Sequence, residues 1–286
     1  MDRKEFAARR DAFFDELSRA RIGAAVLDRR ADQYYYTGYT GSDAVAVFRV
    51  RDRKGWLVTD SRYAEEAAKS APGLEVTLWK RSFSAFTGAL LRKFRTKKTA
   101  YTPTGMTAAF FDEMRSAAPA AGEWVRAEEI ISAQRSVKSG VEIAAMRAAL
   151  ACAEAAFLSS RRRWKAGMTE IDVKNDLEWE MRKRGAEDAA FKTIVAAGPN
   201  ASLPHAHAGG RKIVPGRMLL IDFGARVNRY NSDLTRTLWA GSVPAAWKKR
   251  YEAVLAAQRA GIAAIKPGVP GVAAHQAAMA VFAGAG

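Results

Sequence analysis

At 286 residues, 49% hydrophobic and 27% charged, the chain has room for about two domains of ~100–200 residues, and its globular composition excludes disorder and collagen. Its single cysteine, Cys152, excludes an internal disulfide, and no Cys/His cluster offers structural zinc, so a reducing cytoplasm is expected. The formal charge of +16, from 46 Lys and Arg against 30 Asp and Glu, raises nucleic acid as a partner, but basic residues scattered without interleaved aromatics predict weak, salt-erased binding and no specific nucleic-acid site.

The first residues alternate charge with Phe and lack an apolar signal core, and no segment reaches the ~18 apolar residues of a span, so no membrane association is expected. Phe6, Phe13 and Leu17 fall at helical spacing and predict an amphipathic helix over 3–22. Short apolar runs at 24–28, 44–50, 55–60, 74–79 and 98–102 predict strands, with helical patterns at 61–70, 84–94 and 106–117 between several of them. Strands alternating with helices indicate an α/β domain over 1–131. Its TGYTGSDA stretch, with Gly38, Gly41, Ser42 and Asp43, punctuates a loop before a strand.

A second domain is expected over 132–286. A long helix from Val137 would bury Val141, Ala145, Ala148, Cys152 and Ala155 as one stripe, which makes Cys152 a packed core thiol. A further helix starts at Thr169, where Thr-Glu-Ile-Asp offers an N-cap hydroxyl and Asp172, and Gly185 supplies the stop. Lys165, Gly167 and Gly185 reappear as Lys266, Gly268 and Gly286, each offset by 101, so a helix–helix unit is duplicated. The first copy continues into strands at 191–196 and 217–240. A second copy of the same length would need roughly 55 more residues. The last 86 residues, with 11 basic and three acidic side chains (Asp222, Asp233, Glu252), read as part of a domain whose balancing carboxylates lie elsewhere.

Residues 221–237, IDFGARVNRYNSDLTRT, are two alternating runs around a polar Asn228-Arg229 turn, a hairpin signature. A two-residue turn makes partner numbers sum to 457, setting Asp222 opposite Thr235 and Asp233 opposite Gly224. Period two then puts Asp222 and Asp233 on one face, with Cβ atoms roughly 7 Å apart or less. Two carboxylates so placed call for a divalent cation, Mn²⁺, Co²⁺ or Zn²⁺; equally, Asp233 could cap a turn while Asp222 pairs with Arg236. His205 and His207 alternate in PHAH, as in some metal sites or in a polar loop with solvent-facing imidazoles. His275 in an Ala-rich helix reads as structural, and Glu252 as the ion-pair partner of Lys248. With no P-loop, GxGxxG or nucleophile motif, the chemistry is metal chemistry or none.

Residues 190–241, AFKTIVAAGPNASLPHAHAGGRKIVPGRMLLIDFGARVNRYNSDLTRTLWAG, closely resemble the catalytic domain of the pita-bread metallopeptidases, above all Xaa-Pro aminopeptidases and dipeptidases. Residues 132–185 look like that family's linker and first two helices, and 1–131, with YYYTGYTGSDA and TDSRY, like its creatinase-type N-terminal domain. The resemblance implies an α/β N-terminal creatinase-like domain followed by an α+β pita-bread catalytic domain, incomplete at its C-terminal end. It implies two divalent metal ions, Mn²⁺ or alternatively Co²⁺ or Zn²⁺. Asp222 and Asp233 fall on its first two metal ligands, Asp233 bridging both ions, and His205 on the histidine that contacts substrate and helps stabilise the tetrahedral intermediate. A proline-containing peptide substrate and a homodimer follow by the same resemblance.

The family completes its site with a histidine and two glutamates on later strands and a second active-site histidine. After Asp233 this sequence offers only Glu252 and His275, both on predicted helices. The resemblance therefore implies a truncated form or a degenerate relative, inactive as it stands. A non-catalytic binding protein and a creatinase-like hydrolase of a small non-peptide substrate are the alternatives.

Overall fold

The computed structural model describes residues 3–285. The residues fall into two compact units, one ending at Val141 and the other beginning at Glu142. In the first, α1 (Arg3–Arg19) buries Phe6, Phe13, Phe14 and Leu17 along one side. There follow β1 (Ala24–Leu27), α2 (Arg30–Thr37), β2 (Ala44–Arg49), β3 (Lys54–Thr59), α3 (Ala64–Ser70), β4 (Glu75–Leu78), α4 (Phe83–Arg92), β5 (Lys98–Tyr101), α5 (Ala108–Ala117), β6 (Glu123–Arg126) and α6 (Glu128–Ser136). The strands form one mixed sheet in the order β4-β3-β2-β1-β5-β6. Central strands β1 and β2 are buried on both faces, so they read as continuous apolar runs. Alternation sends Ala25, Leu27, Ala46 and Phe48 into a core with α1 and α2, and Ala24, Val26, Val45 and Val47 into a second core with Leu91 and Met114.

Three elements of this unit, α2, α6 and the edge strand β6, depart from the expected pattern. Residues 30–37 form α2, ended by Gly38 in the left-handed region at φ 78°. A Cβ there would lie 2.7 Å from the Phe6 ring and 2.9 Å from the Ser70 carbonyl. Tyr36 stacks on Phe13 at 4.5 Å, and the Arg9 guanidinium sits 4.1 Å over the Tyr35 ring, so packing holds a helix that the sequence pattern does not announce. α6, through which the division at 131 would cut, buries Ile131 in the first core, accepts the Tyr36 hydroxyl on Gln134 and pairs Arg135 with buried Asp32.

Asp28, just past β1, is half-buried, and burial pushes its carboxyl up to about 6 from 3.8. The native state therefore holds more protons than the unfolded chain between about pH 4 and 6, and this group costs stability as pH rises through that window. Asp28→Asn is expected to raise the urea midpoint at about pH 7 and to change it little near pH 4. Equal gains at both pH values would remove the ionic explanation.

The second unit holds α7 (Gly140–Arg161) from Glu142 onward, α8 (Glu170–Lys183), β7 (Asp188–Ala189), β8 (Ile194–Ala197), β9 (Met218–Phe223), β10 (Ala225–Val227), β11 (Tyr230–Asn231), β12 (Leu234–Trp239), α9 (Ala245–Ala264) and α10 (Val272–Ala285). Two small sheets run β12-β9-β8 and β11-β10-β7. Their core joins Phe157, Val173, Leu177 and Met181 to Val195, Ile221 and Phe223, with Phe157 stacked on Phe223 at 5.4 Å.

The buried stripe of α7 corrects the expected one. Glu142, Ala149, Cys152, Ala153, Ala156, Phe157 and Ser160 are buried, whereas Val141, Ala148 and Ala155 are exposed and Ala145 half-buried. In an alanine-rich helix the apolar pattern is weak on every side, and the large Phe157 ring decides which side turns inward. Cys152 is a buried free thiol, as expected, and burial pushes it up. The Thr169/Asp172 capping box forms, with each backbone N–H bonded to the other's side chain. Gly167 and Gly268 take left-handed φ of 90° and 79° at the same place in the two copies of the duplicated unit; Gly286 lies outside the described residues. Among the described residues no helix is long and apolar enough to cross a membrane.

Candidate active site

The hairpin forms in the register set by its turn. Asn228 and Arg229 take φ of 50° and 67°, both left-handed as a two-residue type I′ turn requires. Val227 pairs with Tyr230, Arg226 with Asn231, and on the outer ladder Leu234 with Phe223 and Thr235 with Asp222, so every pair sums to 457. Arg229 donates its backbone N–H to Glu187 at 3.2 Å, and Tyr230 gives its hydroxyl to buried Glu142 at 2.9 Å.

Between the two ladders the strands pass very close. Ser232 N–H donates to the Ala225 carbonyl and Ala225 N–H to Ser232 Oγ, each at 2.9 Å. A Cβ on Gly224 would lie 1.9 Å from the Ser232 carbonyl oxygen, so only glycine fits opposite Asp233. Gly224→Ala is expected to lower the urea midpoint by an equivalent of about 1–3 kcal/mol, as overpacking does. An unchanged midpoint would mean the two backbones separate freely here.

Along β9 burial alternates: Leu219, Ile221 and Phe223 are buried, while Met218, Leu220 and Asp222 are half-buried on the opposite face. Asp222 is thus on the face turned away from the helical core, between Ile194 of β8 and Thr235 of β12. Its Oδ1 accepts the Thr235 hydroxyl at 2.6 Å. Asp233 is exposed, between β11 and β12. Arg236, the alternative partner of Asp222, instead lies 3.8 Å from Glu154 and donates to the Thr235 carbonyl at 2.9 Å.

His205 and His207 are both exposed and flank buried Ala206, but His205 lies in a turn closed by Ala206 N–H donating to the Leu203 carbonyl at 3.2 Å, so the segment is not extended throughout as expected. His275 is exposed on α10, and Lys248 and Glu252 form the expected ion pair at 3.9 Å. The loop over 198–212 has a feature the sequence did not reveal. Buried Glu170, first residue of α8, accepts from Ala197 N–H at 2.8 Å, Asn200 Nδ2 at 2.9 Å and Gly209 N–H at 3.1 Å.

Asp222 and Asp233 are suitable oxygen donors for Mn²⁺, Co²⁺ or Zn²⁺. Among the described residues, however, no group of three or more His, Cys, Asp or Glu side chains gathers to hold a metal ion. A hydrolytic metal takes about three protein ligands, so two carboxylates do not by themselves fit the pair of ions that the resemblance implies. An apolar cavity of about 360 Å³, lined by Met218, Leu238, Trp239, Trp247 and Tyr251, lies at the other end of the ladder. Met218 is four residues from Asp222, about 13 Å along a strand, so this cavity does not adjoin the carboxylates.

Residues 144–286 match Metallopeptidase family M24, and residues 9–137 match the Creatinase/Prolidase N-terminal domain. The chain is 35% identical over 250 residues to a Bacillus subtilis protein called uncharacterized peptidase YqhT, covering 87% of this chain and 70% of that one. It is 28% identical over 251 residues to a Xaa-Pro dipeptidase of Pyrococcus horikoshii, covering 87% and 68%. Among solved structures, the Xaa-Pro dipeptidase from Bacillus anthracis superposes with a TM-score of 0.91 at 27% identity, over 98% of this chain and 78% of that one. The X-Pro aminopeptidase from Thermotoga maritima superposes with a TM-score of 0.85 at 30% identity, over 95% and 78%.

Proposed function

The chain belongs to metallopeptidase family M24, with a creatinase-type domain ahead of the pita-bread domain, and from that premise we propose that its site serves hydrolysis of Xaa-Pro peptides, removing the residue before proline. Relatives and structural neighbours called Xaa-Pro dipeptidase or aminopeptidase support this substrate class. The observation that carries the proposal is the hairpin register, with Asp222 paired to Thr235 and Asp233 facing Gly224 across the strand crossing.

Asp222 is assigned as a ligand of one divalent ion and Asp233 as the ligand shared by two, Mn²⁺ or in its place Co²⁺ or Zn²⁺. Metal pairs of this kind polarise a carbonyl and activate water. His205, exposed at the tip of its loop, is assigned to contact the substrate and steady the tetrahedral intermediate. Because two carboxylates are short of a full donor set, the 286 residues alone are assigned no turnover. The formal charge of +16 favours a second possibility, a non-catalytic protein that binds partners through its basic surface; creatinase-like hydrolysis of a small substrate is a narrower one. The family also suggests a cytoplasmic homodimer, which sedimentation at micromolar concentration would test for assembly.

The deciding experiment supplies the remaining donors by fusion to the C-terminal segment of a related Xaa-Pro dipeptidase. Metal-dependent release of the residue before proline is the expected result. A folded fusion that binds Mn²⁺ yet leaves both Xaa-Pro peptides and creatine intact would favour the non-catalytic protein.

A further inference from the structure

Around His205 a local turn is closed by Ala206 N–H donating to the Leu203 carbonyl at 3.2 Å, but the ends of the loop that carries this turn are held by residues distant in sequence. The loop leaves β8 at Ala197 and returns to the body of the unit at 209–213. There Ile171 N–H donates to the Gly209 carbonyl at 3.1 Å, Glu170 N–H to the Arg211 carbonyl at 2.9 Å, and Ile213 N–H to the Met168 carbonyl at 2.8 Å. The Glu170 side chain closes the loop from inside. Oε1 takes Ala197 N–H and Asn200 Nδ2 at the departing end, and Oε2 takes Gly209 N–H at the returning end. Glu170 is 1% exposed, and its three partners are all N–H donors. They and the N-terminus of α8 are what balance the buried charge, in charge-assisted bonds stronger than neutral ones.

We propose that Glu170 is the positioning residue of the active-site loop: one buried carboxylate ties both ends of the segment carrying His205 and so fixes where that imidazole stands. This deepens, and rests on, the assignment of His205 to the substrate. A carboxylate is required because each oxygen faces a donor. Glutamine can satisfy one end with its carbonyl oxygen, but its NH₂ would confront an N–H at the other. Glu170→Gln should therefore release a single end, and Glu170→Ala both.

The test uses the 286-residue protein, labelled with ¹⁵N. Amide exchange at Ala197 and Gly209 and order parameters over 198–209 are measured in the wild type and both variants. Loss of each hydrogen bond should speed exchange of its own amide by about tenfold or more. Backbone order over the loop should fall from about 0.85 toward 0.6 in Glu170→Ala. In Glu170→Gln, Gly209 should exchange faster while Ala197 stays protected, or the reverse if the amide is flipped, and amides of α7 should not change in either variant. Unaltered exchange at both ends in both variants would overturn the proposal. So would an equal rise throughout the unit in Glu170→Gln, since that would make Glu170 a general stabiliser. If Glu170→Ala fails to fold, the one-ended response of Glu170→Gln still decides. The premise is tested separately in a fusion that supplies the remaining metal donors: there His205→Ala should lower kcat for Xaa-Pro cleavage by about 10²-fold or more with metal content unchanged. An unaltered kcat, beside amides that respond to Glu170 as expected, would remove the substrate role and leave the tether.

Discussion

Incubated with excess Mn²⁺ or Co²⁺, the purified 286-residue chain is expected to release no product from Xaa-Pro peptides above the uncatalysed rate. The effect is large because in a hydrolysis of this kind the held metal ions supply the catalysis. A hydrolytic metal lowers the pKa of its bound water from far above neutrality to about 7, and enzymes gain about 10⁶-fold or more over the uncatalysed reaction. Both depend on ions held at fixed positions. Among the described residues no three His, Cys, Asp or Glu side chains converge; Asp222 spends one lone pair on Thr235, and Asp233 is exposed to water. Two such carboxylates compete poorly with the hydration shell of a divalent ion, so occupancy should be low at ordinary metal concentrations. Peptide assays with and without chelator are the check. Cleavage that a chelator abolishes, and that follows the protein through successive columns, would show that the 286 residues assemble a working centre.

Sequence resolved this site unevenly, for physical reasons. The hairpin register was legible because a two-residue turn leaves only one pairing, and two alternating runs must keep their apolar faces inward. The strands β1 to β5 were legible as apolar runs bounded by turns. α2 was not, since its aromatic YYYT stretch has strand-like propensity, and contacts from residues distant in sequence, among them Phe13, Arg9, Gln134 and Arg135, hold it as a helix. β6, four residues at a sheet edge, takes its conformation from pairing with β5. The α7 stripe was misplaced because alanine marks no face, and the inward turn of Glu142 depends on a hydroxyl from Tyr230. Glu170 was hidden differently. The capping box around it is plain in Thr169 and Asp172, but a glutamate in a first helical turn is ordinary, and nothing nearby announces that its three donors come from 27 to 39 positions away.

Completing the donor set should bring the largest gain, and its loss the clearest control. A C-terminal segment from a related Xaa-Pro dipeptidase, fused after Gly286 and carrying the family's histidine and two glutamates, is expected to give metal-dependent cleavage before proline. β12 is an edge of its sheet among the described residues, and an unpaired edge promotes aggregation, so the fusion should also be the more soluble protein. Within it, Asp233→Ala should abolish turnover and lower bound metal together, because the ligand shared by both ions is gone. His205→Ala should act differently: removing one donor to the developing oxyanion costs about 10²- to 10³-fold in kcat, while metal content stays near that of the parent. Metal analysis beside steady-state kinetics separates the two outcomes. If the folded fusion remained active after Asp233→Ala, the hairpin would not be the metal site. If His205→Ala stripped the metal, that imidazole would be a ligand and not the substrate contact assigned to it.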